Sequence, residues 1–132
     1  MLTKIFIIGI TGFVIIHGLI HLVGFRVYAQ GAQVDEMSFK TTFLNGTLDL
    51  GVSGTHIYGL LWLLTTLGFI TAGIGFLLHA SWWQPMLIAT SLVSVVVTSM
   101  DWGNAFRGTL IDLCLLGAAL LSPLAARFGI AF

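Results

Sequence analysis

The chain has 132 residues, of which 58% are hydrophobic and only 8% charged, against roughly 25% charged in soluble domains. Five Lys and Arg balance five Asp and Glu, so there is no basic field to hold nucleic acid and no acidic one to gather cations. One cysteine, Cys114, excludes an intrachain disulfide and any multi-cysteine metal or iron–sulfur centre. With a mean hydropathy of +1.05, the composition predicts an integral membrane protein whose first partner is the lipid bilayer.

Four apolar runs, near 4–27, 56–79, 82–100 and 105–127, approach or reach the roughly 20 residues a helix needs to cross the hydrocarbon core. They lack the alternation of barrel strands, and only helices or closed barrels satisfy every backbone group in lipid. The expected fold is all-α, an integral membrane four-helix bundle in a single domain. The first run follows Lys4 as a secretory signal does. From Ile5 to Phe25, however, it is about twice the length of a signal core and holds two histidines, so it reads as a span.

The long connection, 28–54, carries Asp35, Glu36, Lys40 and Asp49, with Asn45-Gly46 as a turn signal. A short surface helix over Val34–Leu44 would place Phe39 and Phe43 opposite Val34, Met37 and Leu44, without a clean amphipathic face. Ser81-Trp82-Trp83-Gln84 fits a capping box, with Pro85 in the first turn of the third run, so runs two and three should form a tight antiparallel hairpin. Asp101-Trp102-Gly103-Asn104 supplies the next turn, with Asn104 as N-cap. Pro123 should kink or end the fourth helix. His79, Trp82, Trp83 and Trp102 read as interfacial anchors, and Cys114 as a small buried hydrophobe. Positive residues are nearly tied between the two sides; the longer, more acidic loop favours a cytoplasmic N-terminus.

His17, His21, Gly24 and Tyr28 form one stripe on the first helix, Ser91, Ser94, Thr98 and Asp101 another on the third, and Ala105, Gly108, Asp112 and Ala119 a third on the fourth. At about 1.5 Å rise per residue, His21 lies about 7.5 Å and His17 about 13.5 Å inward from Arg26, and Asp112 about 7.5 Å inward from Arg107. His56, Asn104 and Arg107 belong to the same side. The ionisable groups therefore converge in one leaflet, on a pocket open towards the long loop, with residues 28–54 as its lid. The candidate ligand-binding residues are His17, His21, Tyr28, His56, Thr98, Asp101, Arg107 and Asp112.

Ionisable residues inside a span mark functional sites by default. A carboxylate as deep as Asp112 must be neutral, paired or bound to a cation, and a histidine is its natural partner because Arg107 lies on another face. Two histidines and a carboxylate also make a three-ligand metal site with open positions, although the H-E-x-x-H motif is absent. A b-type haem would most simply take an imidazole on each side from different helices; His56 could partner His21, since both lie towards the same side, whereas His79 is on the wrong side for a second pair. A His–Asp pair can also pass protons to a quinone or another hydrophobic substrate. No nucleophile-elbow motif points to acyl transfer.

The stretch His17-Gly18-Leu19-Ile20-His21-Leu22-Val23-Gly24-Phe25 resembles the first-helix pattern of DoxX-like membrane proteins, an H-G pair followed by a basic residue and G-F. Gly59-Leu60-Leu61-Trp62-Leu63, Trp82-Trp83 and Asp101-Trp102 through Asp112 resemble a group of small bacterial four-helix membrane proteins without assigned activity. The resemblance implies four helices in a bacterial inner membrane, with His17, Gly18, His21 and Gly24 as matched positions; His21 stands where DoxX-like chains commonly have lysine. Some DoxX-like proteins are membrane subunits of quinone-linked oxidoreductases. The leading expectation is thus an accessory subunit that binds a quinone or lipid. The alternatives are a metal- or haem-dependent membrane redox protein, and a purely structural subunit packed against a membrane protein partner through Gly68, Ala72 and Gly75.

Overall fold

The computed structural model describes residues 2–35 and 37–127. Four helical spans are long and apolar enough to cross a membrane: Lys4–Tyr28, Gly51–Leu77, Trp83–Met100 and Trp102–Ser122. Their polarity is inverted relative to a soluble bundle. Ile8, Ile16, Ile57, Leu64, Val96 and Leu121 face outward, whereas His17, His21, Thr65, Ser94, Thr98 and Asp112 are buried. Where the surroundings are hydrocarbon, apolar side chains lose nothing by facing out, and polar ones must find partners inside.

The first span is two helices, α1 (Leu2–Ile20) and α2 (Leu22–Tyr28), interrupted at His21. His21 causes the break. Its amide bonds to Gly18 O (3.1 Å) rather than four residues back, and its own ring Nδ1 takes the vacated carbonyl of His17 at 3.0 Å. The side chain thus substitutes for a backbone donor.

In the connection that follows, the described residues 34, 35 and 37–43 are not helical. The connection forms an antiparallel hairpin, β1 (Thr42–Phe43) with β2 (Leu48–Asp49), around a 3-10 turn at Leu44–Gly46. Asn45 (φ 57°) and Gly46 (φ 87°) both occupy the left-handed region, as their dipeptide signal anticipates. Phe43 is buried against Tyr28 and Tyr58, which plugs the loop into the end of the bundle.

The second span, α3 (Gly51–Leu77), begins five residues earlier than its hydropathy suggests, because Asp49 Oδ1 accepts the Gly51 amide at 2.9 Å. Close approach needs glycine at two points. A Cβ on Gly59 would stand 2.3 Å from the Ala29 amide nitrogen, and one on Gly24 would stand 2.1 Å from the Trp62 ring. The small-residue face of α3 is occupied within the chain, Gly68 by Thr90 and Gly75 by Trp82.

Helix α4 (Trp83–Met100) lacks the anticipated capping box: Trp82 is its N-cap and no side chain bonds there. Gln84 points elsewhere, donating to Ala119 O at 2.8 Å on the last helix, α5 (Trp102–Arg127). That contact explains why α5 runs past Pro123. Proline lacks the N–H that would reach Ala119 O, four residues back, and Gln84, with Ser122 Oγ at 3.0 Å, supplies the missing donors. Asn104 is not the N-cap of α5; it lies in the first turn, while the Asp101 carbonyl accepts the amides of both Asn104 and Ala105. Cys114 is exposed on the outer face, not buried.

The spans pack in sequence, with α1 and α2 on α3, α3 on α4, and α4 on α5; among the described residues no comparable backbone packing closes α5 onto α1. A seam therefore separates the first and last spans.

Candidate functional site

Side chains meet across the seam, as an apolar cluster of Val14 with Leu115 and Ala119 and as a polar crossbar. His17 Nε2 on α1 meets Asp112 Oδ1 on α5 at 2.7 Å, both buried. Around this crossbar α4 supplies hydroxyls: Ser94 Oγ lies 2.7 Å from Asp112 Oδ2 and 2.7 Å from His21 Nε2, and Thr98 Oγ1 lies 3.1 Å from Oδ2. Thr109 Oγ1 donates to Thr98 Oγ1 at 2.9 Å. From α3, Phe69 packs edge-on to His17 and tilted on His21, with ring centroids 5.0 and 5.4 Å away, and Trp62 covers His21. The local sequence accounts for the convergence, since histidines four residues apart share a helix face, as do Ser94 and Thr98.

Cavities lie on either side of the crossbar. On the loop side, His17, His21, Trp62, Thr98, Arg107 and Ile111 help to line a chamber of about 260 Å³. It shares Val23, Met37, Asn104 and Arg107 with an outer vestibule of about 550 Å³, bordered by Val34 and Asp35 of the loop. Beyond the crossbar, an apolar cavity of about 120 Å³ is walled by residues such as Val14, Phe76, Leu87 and Leu115. The inner chamber is mostly apolar with a few convergent polar groups, the usual character of a small-molecule site.

Asp101, expected to share that pocket, heads a second cluster at the junction of α4 and α5. It accepts from the Tyr28 hydroxyl, from Lys40 Nζ at 2.5 Å and from Asn104 Nδ2 at 3.2 and 3.3 Å. Tyr28 and Asp101 are buried, and Lys40 is about one-third exposed. This cluster ties the loop to the bundle.

Of the sequence candidates, then, His17, His21, Thr98 and Asp112 meet at the crossbar, Arg107 stands at the mouth, and Tyr28 and Asp101 form the junction. His56 joins neither. It is exposed, its Nδ1 donates to Ala29 O at 3.0 Å, and its ring packs on Phe39, so it is not available to pair with His21 across a haem. Ser94, Thr109, Asn104 and Lys40 take part by hydrogen bonds and fall outside that candidate set. Ser94 was legible as part of its stripe; Lys40 had no signal, because only chain reversal in the loop brings it to Asp101.

Among the described residues, His17, His21 and Asp112 are the one group of metal-type side chains, with donor atoms within 4.8 Å of one another.

Compared with known proteins, the chain matches no family model, no curated protein and no solved structure. The resemblance to DoxX-like proteins accordingly rests on the short motifs quoted above.

Proposed function

We propose that the protein is an integral membrane protein of a bacterial inner membrane that binds a small lipophilic molecule with a polar head, a quinone or a lipid, in the seam between its first and last spans. It serves as an accessory subunit rather than as a complete enzyme. The observation that carries this reading is the chamber of about 260 Å³ whose largely apolar wall includes His17 and His21 and whose mouth holds Arg107. Such a cavity offers an apolar body van der Waals contact and gives its oxygen atoms hydrogen-bonding side chains. Its opening along an unclosed seam gives a membrane-dissolved molecule a route from lipid. With the N-terminus on the cytoplasmic side, the orientation that the longer, more acidic loop favours, the vestibule opens outward.

Photo-crosslinking tests it. A quinone or lipid probe bearing a photoreactive group should label α1, α2 and α5 in preference to α3 and α4, and an excess of unlabelled ligand should suppress that labelling. Uniform labelling of all outward faces would remove the proposal.

A further inference from the structure

The hydrogen bonds around Asp112 can be counted, and the count needs one proton more than the side chains supply in their simplest state. The carbonyl of His17 can only accept, so His21 Nδ1, 3.0 Å away, carries a hydrogen. Three short contacts remain, each requiring one hydrogen: His21 Nε2 to Ser94 Oγ, Ser94 Oγ to Asp112 Oδ2, and Asp112 Oδ1 to His17 Nε2, all at 2.7 Å. Ser94 supplies one. His17, as its neutral Nε2–H tautomer, supplies another. With His21 neutral and Asp112 ionised, the third is missing, and two lone pairs would face each other at 2.7 Å in a buried site, which is costly.

We infer that the His17–Asp112–Ser94–His21 chain is a binding site for a single proton, shared between His21 and Asp112 through the Ser94 hydroxyl. Two arrangements satisfy every contact. In one, His21 is an imidazolium that donates to Ser94, and Ser94 donates to the Asp112 carboxylate. In the other, Asp112 is a neutral acid that donates to Ser94, and Ser94 donates to His21 Nε2. They interconvert when the proton on His21 Nε2 passes to Ser94 Oγ as the Ser94 proton passes to Asp112 Oδ2. Both have zero net charge, the state a low-dielectric interior favours.

Among the described residues, no other charged side chain is in contact with this chain of hydrogen bonds. From α3, Phe69 and Trp62 face the histidines; from α4, Ser94 and Thr98 contribute hydroxyls; from α5, Thr109 contributes another. Arg107 is at the chamber mouth and exposed, and Asp101 is engaged by Lys40, Tyr28 and Asn104.

Distance also separates a proton from a metal ion. An ion bound at about 2.0–2.2 Å by nitrogen and oxygen ligands in tetrahedral geometry holds its donor atoms about 3.3–3.6 Å apart. His17 Nε2 and Asp112 Oδ1 stand at 2.7 Å, the spacing of a charge-assisted hydrogen bond. The inference is independent of what occupies the chamber, so it survives if no lipophile binds there.

The test uses the full chain in lipid nanodiscs with nitrogen-15-labelled histidine. Nitrogen NMR reads the protonated fraction of His21 Nε2, and infrared spectroscopy reads the protonated fraction of the carboxyl band that Asp112→Asn abolishes. Around neutral pH the two fractions should sum to one. In Ser94→Ala, His21 Nε2 and Asp112 Oδ2, 4.0 Å apart, lose their bridge, and the sum should fall towards zero; Ser94→Thr should restore it. Should Ser94→Ala fail to fold, the wild-type sum alone decides. A carboxylate beside two singly protonated histidines, a sum near two, or a stoichiometric metal ion in the purified protein would each overturn the inference.

Discussion

Two buried carboxylates, Asp101 just before α5 and Asp112 about three turns into it, are used in opposite ways. Asp101 meets an ammonium, a phenol and an amide, and its partners come from α2, the loop and α5. Asp112 meets histidines and hydroxyls, and its partners line a chamber. Donors from the loop and from two helices make the first a structural tie; imidazole and hydroxyl partners fit the second to the proton sharing inferred above. Burial alone therefore does not distinguish a functional carboxylate from an architectural one, whereas the chemistry of the partners does.

Asp101→Ala should break the tie with the largest effect, because it strands the buried Tyr28 hydroxyl and releases Lys40. We expect a loss of about 3 kcal/mol, the low end for breaking a buried pair, read from unfolding in lipid–detergent micelles, together with faster proteolysis within residues 37–50. Asp112→Ala should cost less, about 2 kcal/mol, since Thr98 keeps Ser94 O as an acceptor at 2.8 Å and the remaining histidines stay neutral. It should nevertheless abolish ligand-probe labelling of the chamber. Equal loss of stability with labelling intact would erase the distinction between the two sites. Tyr28→Phe removes a single bond to a charged acceptor and should cost about 1.5 kcal/mol without altering labelling. His56→Ala should change stability by less than about 0.5 kcal/mol, and a larger change would bring His56 back into the site.

Much of this was legible because helices repeat with a fixed period. The stripes through His17 and His21, through Ser94 and Thr98, and through Asp112 follow from spacing, and depth along each span pairs a histidine with Asp112. What escaped depends on contacts between elements. Ser81 and Gln84 have the composition of a cap, yet Gln84 is drawn away to the carbonyl left open by Pro123. His56 has the right depth, but depth does not fix rotation about a helix axis, and its ring faces Phe39. Lys40 is brought to Asp101 by a hairpin whose turn was readable at Asn45-Gly46 although its docking was not. The break at His21 is a side chain competing with the backbone, to which hydropathy is blind.

The unclosed seam also bears on how the molecule is assembled. Each span packs on the one made just before it, so every such contact can form as soon as the next span is in place. The bond from His17 to Asp112 joins residues 95 positions apart and must wait for the final helix. The chamber consequently forms only once the fourth span has joined the other three: a chain halted after the third span holds two histidines with no acid between them.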